Sequence, residues 1–182
     1  MTRREAGMTL VELVFGAAAA LLVFAALGAA LFGAASASRA ANAELLAARE
    51  AEEALDRAGR DLLRSSLAKL SIDSSDPASD RIVFAVALPQ ADGTVLWGAE
   101  ELAGQSYELS VASGRFVRRT LAADKSILRE VVFASDLDRT GTVKPFRAER
   151  AGNTVRLTLR VSLPAGREEI VRELTAAFAP RN

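Results

Sequence analysis

Apolar and polar positions change their rhythm three times along this chain. Residues 13–37 carry no charge and are Ala, Leu, Val, Phe, Gly and Ser on every side. Residues 38–70 bring charge back in a three- and four-residue period. Leu45, Ala48, Ala51, Leu55, Ala58 and Leu62 form one apolar stripe, and Arg49, Glu50, Glu53, Arg57, Arg60, Asp61 and Arg64 lie opposite. That period predicts an amphipathic helix continuing from the apolar one and ending near Leu70. Residues 71–80, rich in Ser and Asp and containing Pro77, read as a loop. From Arg81 onward the period is two, which predicts strands.

The strands follow from alternation and turn residues. Residues 81–88, ended by Pro89, read as the first, and residues 94–97 as a second after Ala91-Asp92-Gly93. Residues 105–112 and 115–121 read as a hairpin around Ser113-Gly114, with Tyr107, Leu109 and Val111 on one face. Residues 127–134 form a further strand and 136–145 a loop. The clearest strand is 154–163, where Val155, Leu157, Leu159, Val161 and Leu163 alternate with Thr154, Arg156, Thr158, Arg160 and Ser162. Pro164-Ala165-Gly166 then turns the chain into a last strand over 169–178. A long N-terminal helix laid on an antiparallel sheet is an α+β plan.

The apolar run decides where the helix sits. At ~1.5 Å per residue its roughly 25 residues reach about 37 Å, enough to cross a hydrocarbon core of ~30 Å. A helix apolar all round belongs in a membrane or a deep core, and the rest of the chain is too small to wrap it. Arg3 and Arg4 precede the run, which favours a cytoplasmic N-terminus and an external C-terminal body. Glu12 is the anomaly, because a carboxylate at a bilayer edge costs a few kcal/mol unless it is paired. A cut between Gly7 and Met8 would create an α-amine four residues before Glu12. In a bundle of parallel helices, that amine on one subunit could neutralise the acid on the next.

Gly7-Met8-Thr9-Leu10-Val11-Glu12-Leu13 resembles the class III signal of type IV pilins and type II secretion pseudopilins. The resemblance implies a leader over residues 1–7, a transmembrane and assembly helix over 8–37, an amphipathic continuation over 38–70 and a C-terminal sheet domain over 71–182. It implies a cut after Gly7 by a prepilin peptidase, N-methylation of Met8, and Glu12 as the assembly carboxylate. The implied partners are other pilins or pseudopilins, an inner-membrane platform protein and an extension ATPase. The implied location is the inner membrane, with the body periplasmic or extracellular and the assembled form in a pilus or pseudopilus. Met8 in place of Phe, and Ala29 where many major pilins carry Pro, point to a minor pilin or pseudopilin. Gly114-Arg115-Phe116-Val117-Arg118 and the segments after it resemble the J-type and W-type members more diffusely.

Other readings stay open. Ala35-Ser36-Ala37 imitates the cleavage site of a secretory signal, which would leave Ser38 as the first residue; the length of the run and Glu12 count against it. A single-span anchor for an envelope binding domain, without a filament, would keep Met1. A competence-type pilin would touch DNA through the later arginines, Arg118, Arg119, Arg129, Arg147, Arg150, Arg156 and Arg160. Net charge is zero, with 23 basic and 23 acidic residues, so no global field draws the chain to nucleic acid.

Chemistry is sparse. The chain has no Cys and no His, which removes disulfide staples, the usual general base and the commonest metal ligand. No Gly-rich phosphate loop is present, and neither an enzyme nor a cofactor is expected. Asp136-Leu137-Asp138-Arg139-Thr140-Gly141 has the opening of a calcium loop, which makes Asp136 and Asp138 the candidate metal ligands. Arg147 stands where the closing bidentate Glu belongs, so a plain turn is preferred.

Overall fold

The computed structural model describes residues 9–100, 102–138, 143–165 and 168–181. One helix, α1 (Leu10–Leu63, 54 residues), carries a body of antiparallel strands. At ~1.5 Å per residue it is about 80 Å long. Ala and Leu dominate it and no Pro interrupts it, so intrinsic propensity is favourable over most of its length.

The helix has two environments. Its first half is exposed on every side; Leu13, Phe15, Leu22, Phe24, Leu31 and Phe32 all stand clear of the body. Its second half buries one face, made of Ala43, Ala47, Ala51, Ala54, Leu55, Ala58, Gly59 and Leu62. The expected stripe is therefore rotated at its start. Leu45 is 68 % exposed and Leu46 59 %, and Ala48 is only half-buried. Small Cβ atoms let the sheet come close to the helix, so alanines mark the contact where the larger leucines face away. The wet face carries i,i+4 pairs, Arg49–Glu53 at 3.1 Å and Arg60–Asp56 at 3.5 Å.

The helix ends at Leu63, short of the expected Leu70, and the chain enters strand β1 (Ser65–Asp73). Ser65 and Ser66 are buried at the junction. Ser66 Oγ accepts from Ala68 N at 3.2 Å, and Arg64 O accepts from Ala87 N at 2.9 Å. Serines offer the backbone non-helical bonds, and pairing with a distant strand completes the switch.

Strand β2 (Arg81–Pro89) organises the larger sheet. One edge pairs with β1. The other takes β5 (Ser106–Ala112) along its first part and β3 (Val95–Ala99) along its second. A short β4 (Leu102–Ala103) extends β3, while β6 (Arg115–Leu121) and β7 (Ile127–Ala134) extend β5. The β5–β6 turn has φ 51° at Ser113 and 73° at Gly114, the two left-handed residues a tight hairpin needs. A three-stranded sheet holds β8 (Phe146–Ala151), β9 (Thr154–Ala165) and β10 (Glu168–Phe178). Strands β1, β4 and β8 were not expected from periodicity, while β2, β3, β5, β6, β7, β9 and β10 fall within a residue or two of it. The turn expected at Gly166 lies outside the described residues.

The helix packs mainly on β9 and β10. The sheets are joined where Arg181 bridges Ser66 in parallel, and where Asp80 N donates to Phe146 O at 3.1 Å. Phe116 of the larger sheet and Phe146 of the smaller sit with ring centroids 4.7 Å apart in the core. With Phe84, Ile82, Leu109, Leu157 and Leu159, all essentially buried, they fill the space under Leu62 and the helix alanines.

Polar positions on two strands are buried opposite the apolar face. Glu108 and Ser110 of β5 are buried alongside Tyr107 and Leu109, and Ser110 Oγ donates to Glu108 Oε1 at 2.8 Å. On β9, Thr158 and Ser162 are buried. Thr158 bonds Thr175 at 3.0 Å and Ser162 donates to Glu169. Polar pairs, along β5 for Ser110 and across β9 and β10 for Thr158 and Ser162, satisfy these positions, which is what allows them to be buried.

Candidate assembly site

The apolar helix begins with a capped first turn. Thr9 is the N-cap, in extended conformation (φ −74°, ψ 151°). Glu12 N donates to Thr9 Oγ1 at 3.3 Å. In return Thr9 N donates to Glu12 Oε2 at 2.9 Å and Thr9 Oγ1 donates to the same oxygen at 3.0 Å. This is a reciprocal capping box, which satisfies backbone donors the helix cannot pair itself. Its acid also sits at the positive end of the helix dipole. Thr9-Leu10-Val11-Glu12 ahead of an apolar run is the sequence signature of that box. Periodicity did not single out Thr9; the motif does.

Glu12 is therefore a bonded acid at the mouth of an uncovered apolar helix. Among the described residues, its Oε1 makes no hydrogen bond. Leu10, Val11, Leu13 and Val14 around it are 57–81 % exposed. The helix is long and apolar enough to cross a membrane, and none of its apolar window is covered by the body. Gly7 and Met8, the expected cleavage pair, and the leader 1–7 lie outside the described residues.

The other expected positions resolve differently. Asp138 is buried, its carboxylate 2.9 Å from Arg160, and Leu137 bridges Val161 of β9. The backbone joins in, Asp136 O accepting from Ser162 N at 2.7 Å and Asp138 N donating to Arg160 O at 3.1 Å. The described part of the segment is an added strand contact on β9, with the Arg160 guanidinium beside the Asp138 carboxylate. Asp136 is exposed. Among the described residues no three acidic, His or Cys groups come together to hold a metal; Arg139, Thr140 and Gly141 lie outside them.

The later arginines are mostly spent on ion pairs. Arg118 meets Asp61 at 2.9 Å, Arg119 meets Glu130 at 2.8 Å, Arg129 meets Glu100 at 3.2 Å and Arg147 meets Glu173 at 3.1 Å. Arg118 also lies 4.6 Å from the Tyr107 ring centroid. Burial pushes the Tyr107 phenol up, against the opposing pull of the Glu100 N–H it accepts from and of the Arg118 charge. A row of arginines neutralised by acids presents little uncompensated charge to a phosphate backbone.

Comparison of the chain with protein-family models, with curated proteins and with solved structures returns no match.

Proposed function

We propose that the chain is a non-enzymatic structural subunit, a minor pilin or pseudopilin. It is anchored in the inner membrane by α1 with its N-terminus cytoplasmic, and is trimmed after Gly7 by a prepilin peptidase that also methylates Met8. It then joins or primes a type IV pilus or a type II secretion pseudopilus with other pilin-like chains, drawn out by a platform protein and an extension ATPase. The observation that carries this reading is Glu12: one acid in the first turn of an exposed apolar helix, four residues after Met8. A trimmed amine is the partner such an acid lacks, and Ala- and Gly-rich helix faces pack closely once lipid is left behind. The α+β layout, with a long helix over antiparallel strands, supports the same reading.

Mass spectrometry of the native protein tests it. The expected mature chain begins at methylated Met8, and a bulky residue at Gly7 blocks the cut. Residues 1–7 still attached would end the filament reading.

One observation favours a second reading. The Thr9–Glu12 box gives the carboxylate a use within its own chain, so a single-span anchor for an envelope binding domain needs no subunit partner. That reading expects the protein to begin at Met1 and to tolerate Glu12→Gln in every assay of assembly.

A further inference from the structure

We infer that the open edge of β10, with the groove beside it, receives strand β7 of a second copy of this chain. β10 is the last strand of its sheet and pairs with β9 through eleven successive residues without a bulge. Arg160 N and O are bonded to Pro145 and Asp138, on the far side of β9. Alternation then turns Leu159 and Val161 towards β10, and leaves the N–H and C=O of Val171, Glu173, Thr175 and Ala177 on the outer edge. Among the described residues no other strand pairs with that edge. A long edge with neither Pro nor bulge is a template for another strand. Beside it runs a groove of about 380 Å³, with Leu55, Leu174, Ala176 and Phe178 as floor and Glu52, Glu53 and Asp56 as rim. Arg49 and Arg60 of the same helix match Glu53 and Asp56, while Glu52 has no ion pair among the described residues.

Direction and chemistry name the occupant. Arg172 meets Glu44 and Phe178 lies on Gly59, so β10 climbs the helix. β7 descends it: Val131 pairs with Arg118, which meets Asp61, and Ser135 N donates to Glu50. Glu50 and Asp61 lie about half a turn round the helix from Glu52 and Gly59, so the two strands flank it on opposite sides. In copies whose helices share a direction, β10 of one and β7 of the next are therefore antiparallel. β7 is the last strand of the larger sheet, and its first residues, Ile127 and Leu128, are 53 % and 54 % exposed with Arg129 beside them. They supply apolar side chains for the groove floor and a cation for Glu52. Ile127 and Leu128 lie past the level of Asp61, and the groove lies below it, so the two copies are displaced by about 20 Å along the helix axis. Copies level in one bilayer do not meet this way and copies drawn out in succession do, so the contact rests on the assembly reading above.

The chain has no Cys, so engineered cysteines report the contact directly. Two differently tagged full-length copies replace the parent in its native cells, one carrying Ala177→Cys and the other Leu128→Cys. A short bis-maleimide is added to the assembled fraction and to the membrane pool, and mass spectrometry reads the mature N-terminus. A mixed dimer is expected in the assembled fraction and not in the pool. Ala151→Cys, on the opposite edge of the same sheet, is expected to give none with Leu128→Cys. Glu52→Arg in the first copy and Arg129→Glu in the second are each expected to lower the yield about fivefold, and together to restore it within about twofold. Ala177→Pro deletes an outward N–H and spares the β9 ladder. It is expected to lower co-recovery of the two tagged copies about fivefold, the scale of one backbone hydrogen bond, with the unfolding midpoint unchanged. The inference is overturned if the assembled chain begins at Met8 yet yields no mixed dimer, or if the β10 cysteine joins a different pilin-like chain or its own counterpart instead. It is also overturned if the paired charge reversal restores nothing. Residues 1–7 still attached would end the assembly reading and this contact with it.

Discussion

Asp61 on the helix and Arg118 on β6 form a 2.9 Å ion pair with both side chains largely buried, at 13 % and 17 % exposure. The guanidinium is also stacked on Tyr107 and lies 4.0 Å from Glu100. The pair ties the last turns of α1 to the larger sheet. Removing one partner leaves a charge in a site that water reaches poorly. Asp61→Ala is expected to destabilise the protein by ~2–3 kcal/mol, below the full cost of an orphaned buried charge because Glu100 remains nearby. Denaturant unfolding of the detergent-solubilised chain measures it. The double variant Asp61→Leu/Arg118→Met is expected to recover most of the loss, since the uncompensated charge is then absent.

The buried face of α1 is tested by size. Ala51 is fully buried, so Ala51→Leu forces a larger side chain between helix and sheet and is expected to cost ~1–3 kcal/mol. Leu45→Ala, on the uncovered face, is expected to stay within ~0.5 kcal/mol in the same unfolding measurement. A reversal of the two would mean that the leucine, and not the alanine, faces the body.

Gly59 has the Phe178 ring where a Cβ would stand. Gly59→Ala gains ~1 kcal/mol of helix propensity but displaces that ring from its seat on the helix, so a net loss of stability is expected. In a Phe178→Ala background the same substitution is expected to stabilise by ~1 kcal/mol, the propensity gain alone. The sign change between the two backgrounds, read from thermal midpoints, is the check.

Asp73 gives a pH dependence. Hydrogen bonds from the Ser75 hydroxyl and backbone N–H, with Arg81 at 2.9 Å, hold its carboxyl at about 2 against an ordinary 3.8. A pKa depressed by folding means the unfolded chain binds the proton first. The stabilisation is therefore present above about pH 4 and is lost as pH falls through about 2. The side chain is about half exposed and its partners are screened by solvent, so the effect is small. Asp73→Asn is expected to flatten the slope of stability against pH across that window, and to leave it unchanged near neutrality.

Much of the site could be read before any coordinates. Glu12 stands out as a lone acid beside an uncharged run, and Thr9-Leu10-Val11-Glu12 spells a capping box. What a linear reading does not reveal is that Thr9 places two donors on one carboxylate oxygen, because that depends on the φ and ψ of the cap. The arginines illustrate the same limit. Arg118 and Arg160 look like outward strand positions until Asp61 and Asp138, 57 and 22 positions away, arrive beside them.

Local rhythm determined the apolar helix, its amphipathic continuation and most of the strands, because backbone periodicity is set by neighbours a few residues apart. Tertiary packing decided the rest. It chose Ala43, Ala47 and Ala54 over Leu45 for the buried face, since the distance between helix and sheet rewards the smaller side chain. It ended α1 at Leu63, since the hydrogen-bonding partners of β1 lie on β2, beyond the reach of any local pattern. It buried Glu108, Thr158 and Ser162, because their hydrogen-bond partners come from other strands or from further along the same one.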